Sequence, residues 1–134
     1  MAPGTQPTDP CPCGSGEVEA ACCAPILAGA PARTALALMR SRYTAFVRGD
    51  IDHLVATHAE TTRAGLDVPA TARWSRETRW LGLEILTVEG GGEGDDIGVV
   101  EFVARGKTRG QPFAHRERSR FNRHQGRWYY VDAF

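Results

Sequence analysis

Four cysteines lie within residues 11–23: Cys11 and Cys13 one residue apart, then Cys22 and Cys23 adjacent after eight more. Four thiolates at close quarters match the tetrahedral sulfur set that zinc takes. Adjacent Cys22 and Cys23 make an awkward disulfide, and a tight cluster staples no distant segments. Gly14 and Gly16 permit a tight turn around the sulfurs, and Pro12 stiffens it. Residues 10–24 are too short and polar to fold without such an ion. With all four positions filled by protein, no open position is left for catalysis at the metal.

A second set of groups lies on an alternating segment, residues 113–123. Phe113, His115, Glu117, Ser119 and Phe121 share one face, and Arg116, Arg118 and Arg120 share the other. The two phenylalanines mark the first face as the inner one. His115 and Glu117 are then about 7 Å apart along the backbone, close enough for coupled titration and for a general acid–base pair. The competing reading is a polar layer satisfied by Tyr43 or by neighbouring strands. No nucleophile or electrophile completes a catalytic set. The arginine row reads as a solvated or cross-strand-paired face, or as a strip for an anion or an acidic partner. Tyr43, His58, Trp74 and Trp80 are further candidates for an interior pocket, with the tryptophans mainly core anchors. His53 and His124 are weaker candidates.

The 134 residues suit one domain. Sixteen basic and 16 acidic residues cancel, which argues against general nucleic-acid binding. The distribution is nonetheless polarised. Residues 77–101 carry seven acids against Arg79, and residues 105–127 carry eight bases against Glu117. All but Lys107 of the bases are arginine, from GC-rich coding or from a preference for bidentate contacts. No apolar run approaches the roughly 20 residues of a membrane helix, and the N-terminus does not read as a secretory signal. The expected setting is the cytoplasm.

The elements that must position these groups read as follows. Residues 1–9 form a disordered tail, 10–24 the cysteine lobe, 25–33 a connector and 34–134 the main domain. Thr34 caps a helix with Leu36, Met39, Tyr43, Phe46 and Val47 at helical spacing, ended by Gly49. Asp50 caps a second helix over 51–59, with His58 on its core side. After a loop from Thr61 to Pro69, residues 70–79 form a third. The period then changes to two. Strands are expected over 81–89 with Leu81, Leu83 and Ile85 on one face, then 97–105, 113–123 and 127–132, with a turn over 106–112. Three helices on one face of a four-stranded antiparallel meander make an α+β fold.

CPCGSG, eight residues after Cys13, then CC resembles the SEC-C motif, named from the C-terminus of the SecA translocation motor. LMRSRYTAF at 38–46, VEFVARGK at 100–107, His115 with Glu117, and GRWYYVD at 126–132 resemble the YchJ-like family of bacterial proteins. The resemblance implies a nuclear transport factor 2-like fold, a curved antiparallel sheet wrapped around helices as a cone. It also implies zinc on Cys11, Cys13, Cys22 and Cys23. The usual motif has lysines near Glu17 and Val18 and an aromatic at Glu19, groups that bind partners in SecA-type motifs. This acidic version is not expected to bind nucleic acid through the lobe. Any phosphate contact falls to Arg116, Arg118 and Arg120, on which the lobe itself is a candidate to dock.

Two functions follow from these residues. The first is an interaction or adaptor module whose zinc lobe binds a protein or ribonucleoprotein partner. The alternative is a small-molecule binder or enzyme using the cone, with His115 and Glu117 as acid and base. A deep pocket joining His115, Glu117 and aromatic rings favours the alternative. A filled cone with an exposed lobe patch favours the adaptor.

Overall fold

The computed structural model describes residues 9–134. Residues 1–8 of the expected tail lie outside the described residues, and Asp9 is fixed by a bond from the Glu19 amide to its carbonyl, 2.9 Å. Four helices precede four strands: α1 (Cys23–Leu27), α2 (Ala35–Arg48), α3 (Ile51–Ala56), α4 (Val68–Glu77), β1 (Thr78–Gly90), β2 (Ile97–Thr108), β3 (Gln111–His124) and β4 (Arg127–Ala133). The strands form one antiparallel sheet in the order β1–β2–β3–β4. Among the described residues no helix is long and apolar enough to cross a membrane.

The helix boundaries follow their caps. Thr34 Oγ1 accepts from the Ala37 amide at 3.0 Å, and Gly49 closes α2 at φ 74°. Asp67 caps α4, which starts earlier than expected because Pro69 fits its first turn. The second helix is shorter than the sequence pattern implies. Arg42 Nη1 takes the Leu54 carbonyl and the Thr57 hydroxyl at the end of α3. Beyond it, the Ala59 amide donates to the Tyr130 carbonyl and the Tyr130 amide to the Thr57 carbonyl. His58 therefore sits in a bridge to β4 rather than on a helix face.

The core lies between α2 and the sheet. Ala35, Leu38, Met39 and Tyr43 pack on Val100, Phe102, Ala104, Phe121 and Trp128. Two corrections to the strand reading come from turn and bulge geometry. The expected turn over 106–112 is only Arg109–Gly110, both with positive φ, so β2 and β3 run on past it. Pairing shifts between Trp80 and Gly82, so Leu81 leaves the inner face and is 54% exposed, while Trp80 turns in. At the far end of β2 a Cβ on Gly98 would lie 2.6 Å from the Gly91 Cα and 2.9 Å from the Ala35 Cβ. The acidic turn approaches α2 that closely only because both residues are glycine.

The cysteine lobe packs into this core. Cys11, Cys13 and Cys23 are buried in the same cluster as Leu38 and Val100. The expected connector is partly helical, since α1 runs through Leu27. The segment docks on α2, not on the arginines of β3. Arg40 donates to the Cys13 carbonyl at 2.7 Å, and Arg48 holds the carboxylate of Glu19. The β3 arginines face carboxylates of their own sheet instead. Arg116 pairs with Glu101, Arg118 with Glu89 and Arg120 with Asp132.

Candidate functional site

Two centres emerge, one of sulfur and one of aromatic and polar groups. The Sγ atoms of Cys11, Cys13, Cys22 and Cys23 lie within 4.8 Å of one another. Cys13 to Cys22 is 3.6 Å and Cys22 to Cys23 is 3.9 Å. Tetrahedral ligation with metal–sulfur bonds near ~2.3 Å requires sulfurs about 3.8 Å apart, so the set fits a metal ion. These separations are far beyond a disulfide bond, and all four cysteines are free. The Ser15 hydroxyl lies 3.2 Å from the Cys22 sulfur, and the Thr44 hydroxyl 3.7 Å from that of Cys11. Such outer contacts orient metal ligands. Hydrogen bonds from Cys11 and Cys23 hold the Cys13 thiol far below its usual 9.0, while burial pushes Cys22 up to about 11.

The second centre is a cavity of about 310 Å³ between α2, α4 and the sheet. Aromatic rings build its wall. Trp80 meets Trp74, Phe46 and Tyr43 at ring separations of 5.0, 5.3 and 5.8 Å. Arg42, His58, His115, Glu117 and Tyr130 supply its polar groups. Of the residues expected to line a pocket, Tyr43, His58, Trp74, Trp80, His115 and Glu117 border this one. Ser119 does not. It is fully buried behind Glu117 and donates to that carboxylate at 2.6 Å. Of the two expected sources of a partner, Tyr43 or a neighbouring strand, the strand supplies it: the Tyr130 hydroxyl on β4 donates to Glu117 at 3.1 Å. Burial pushes the Tyr43 phenol up to about 12.

Alternation along β3 explains this convergence. His115, Glu117, Ser119 and Phe121 project inward, and Glu117 accepts from His115 at 3.0 Å. Arg116 and Arg120 lie on the outer face, half or more exposed, with Arg118 partly covered by Phe134. Sequence reasoning missed Arg42 and Tyr130. Arg42 had a signal: it stands one position before Tyr43 and three after Met39, on the apolar side of α2.

Electrostatics tie His115 to Glu117. The hydrogen bond to Glu117, and its charge, hold His115 above its ordinary 6.5 despite partial burial. Burial pushes Glu117 up, but bonds from His115, Ser119 and Tyr130 outweigh it and hold the carboxyl below its ordinary 4.5. Burial and Arg42 lower His53 and His58, so both rings are neutral near pH 7. The signs differ. The raised His115 stabilises the fold below pH 6.5 and loses that contribution as pH rises through its folded value. The lowered Glu117 stabilises above 4.5 and loses it as pH falls through its folded value. His53 and His58 oppose folding as pH drops below 6.5. In an NMR titration the His115 ring is expected to protonate with a midpoint above 6.5, and Glu117→Gln to move that midpoint down. An unchanged midpoint in the variant contradicts the pairing.

Known proteins resemble this chain over most of its length. Residues 34–133 match the family described as YchJ, middle NTF2-like domain. A UPF0225 protein of Chromobacterium violaceum is 49% identical over 126 residues, covering 92% of this chain and 90% of that protein. A UPF0225 protein of Geobacter sulfurreducens is 41% identical over 128 residues, covering 95% and 80%. The solution structure of a SEC-C motif containing protein from Rhodopseudomonas palustris superposes with a TM-score of 0.83 at 37% identity, covering 92% of this chain and 96% of that one. The crystal structure of a SEC-C motif containing protein from Psychrobacter arcticus gives 0.79 at 30%, covering 98% and 84%. Family match, relatives and superposed structures agree: the chain belongs to the YchJ-like, UPF0225 family of bacterial SEC-C motif proteins with an NTF2-like domain.

Proposed function

We propose that the cavity binds a small organic molecule and that the cysteine centre holds zinc as a structural pin. The observation that carries the reading is the 310 Å³ space joining an aromatic wall to the Glu117 cluster. Its size and its few convergent polar groups are typical of small-molecule sites. Zinc is the ion chosen because four thiolates give a closed tetrahedral set. Four free thiols suit a reducing cytoplasm. His115 and Glu117 supply a proton donor and acceptor at the cavity, which is the enzyme form of the same reading.

The test fills the cavity without touching its polar groups. Ala104 is buried on β2 and borders the space. Ala104→Phe is expected to keep the fold by circular dichroism and to abolish the perturbation of the Trp74 and Trp80 indole NMR signals by 3-phenylpropanamide, a neutral probe. Equal perturbation in both proteins contradicts binding in the cavity.

The adaptor reading keeps one specific support. Gly16, Glu17 and Val18 form an exposed rim beside the cysteines, with Val18 37% exposed. A protein partner is the fitting occupant there. Nucleic acid is not, because the segment has no base and Arg116, Arg118 and Arg120 are already paired. A mobility-shift titration of the intact protein with RNA at physiological salt is expected to show no complex. A complex that survives Arg116/Arg118/Arg120→Ala contradicts the charge argument.

A further inference from the structure

The charges around the cavity point to the class of molecule it takes, an inference that rests on the pocket reading above. Arg42 borders the space and is only 8% exposed. Its Nη1 donates to a carbonyl and a hydroxyl, both neutral, and its guanidinium lies 4.7 Å from the centre of the Tyr130 ring. None of the ion pairs among the described residues includes it. A cation withdrawn from water normally has a partner anion, because an unpaired one is costly. Glu117 lies across Tyr130 from it but is engaged by His115, Ser119 and the Tyr130 hydroxyl. Asp67, at the exposed rim, caps α4. His58 borders the same space, is 6% exposed, and neither of its ring nitrogens makes a well-formed hydrogen bond. The charge of Glu117 reaches Arg42, yet no carboxylate of the described residues pairs directly with Arg42 or His58.

We propose that the cavity takes a small organic acid, its carboxylate paired with Arg42 beside His58 and its planar apolar body against Trp74, Trp80 and Phe102. One buried guanidinium matches one carboxylate in fork geometry, whereas a phosphate dianion calls for more than one cation. The largely apolar, aromatic wall favours an aromatic or unsaturated body.

Three probes of one shape test it on the intact protein: 3-phenylpropionate, 3-phenylpropanamide and 3-phenylpropylamine. The readout is the indole signals of Trp74 and Trp80, with Trp128, which does not border the cavity, as control. The acid is expected to bind at least about tenfold more tightly than the amide. Arg42→Gln is expected to bring acid and amide to equal affinity, and Arg42→Lys to keep a preference for the acid. Should Arg42→Gln not fold, the wild-type ratio and Arg42→Lys carry the test. Equal affinity of acid and amide, or tightest binding of the amine, overturns the organic-acid assignment while the pocket stands. No response of Trp74 and Trp80 to any probe overturns the pocket as well.

Discussion

With zinc in the cysteine centre as proposed, a Cys13→Ser protein is expected to melt at least about 10 °C below its parent, in one cooperative transition, and to retain no metal. Cys13 is fully buried and shares a cluster with Leu38, Tyr43 and Val100, so its site belongs to the main core. Loss of one ligand weakens a metal whose binding energy is folding energy. A cost of about 3–5 kcal/mol, at roughly 3–5 °C per kcal/mol for a chain this size, gives the stated shift. Helix α2 makes the effect global. Arg40, Thr44 and Arg48 recur every four residues and hold the Cys13 carbonyl, the Cys11 sulfur and Glu19. Met39, Tyr43 and Phe46 of the same helix face the cavity. The competing outcome is damage confined to residues 11–24. A variant that melts within about 2 °C of the parent, with faster hydrogen exchange only in that segment, restores the local picture.

Trp80→Ala is expected to cost about 3 kcal/mol, and Leu81→Ser close to nothing. Trp80 joins Tyr43, Phe46, Trp74 and Phe113 into one aromatic cluster, with all four rings within 5.9 Å. Leu81 is the extra residue of the bulge and faces solvent. Chemical denaturation of both variants separates them. The opposite ranking contradicts the bulge and restores the simple alternation of β1.

Those two residues mark where the sequence was legible and where it was not. Hydrophobic period, caps and turn glycines located α2, the four strands and their order, because each of those signals is local. The cysteine spacing brought together the four residues whose sulfurs converge. Alternation set His115 and Glu117 on the inner face of β3. A bulge, by contrast, is an extra residue with no composition of its own, so Leu81 was read with Leu83 and Ile85. The end of α3 was hidden because its cap, Arg42, comes from another helix. Docking of the cysteine segment on α2 rather than β3 was equally hidden. Arginines look alike in sequence, and only cross-strand register shows that Glu101 and Glu89 on β2 and β1, and Asp132 on β4, already occupy those of β3.

The most direct measurement of the central claim is a structure of the intact protein determined with 3-phenylpropionate present. The expected result is the phenyl ring against Trp74 and Trp80 inside the cavity, with the carboxylate at Arg42. A cavity closed by its own side chains, with the probe elsewhere or nowhere, contradicts the assignment of this space as a binding site.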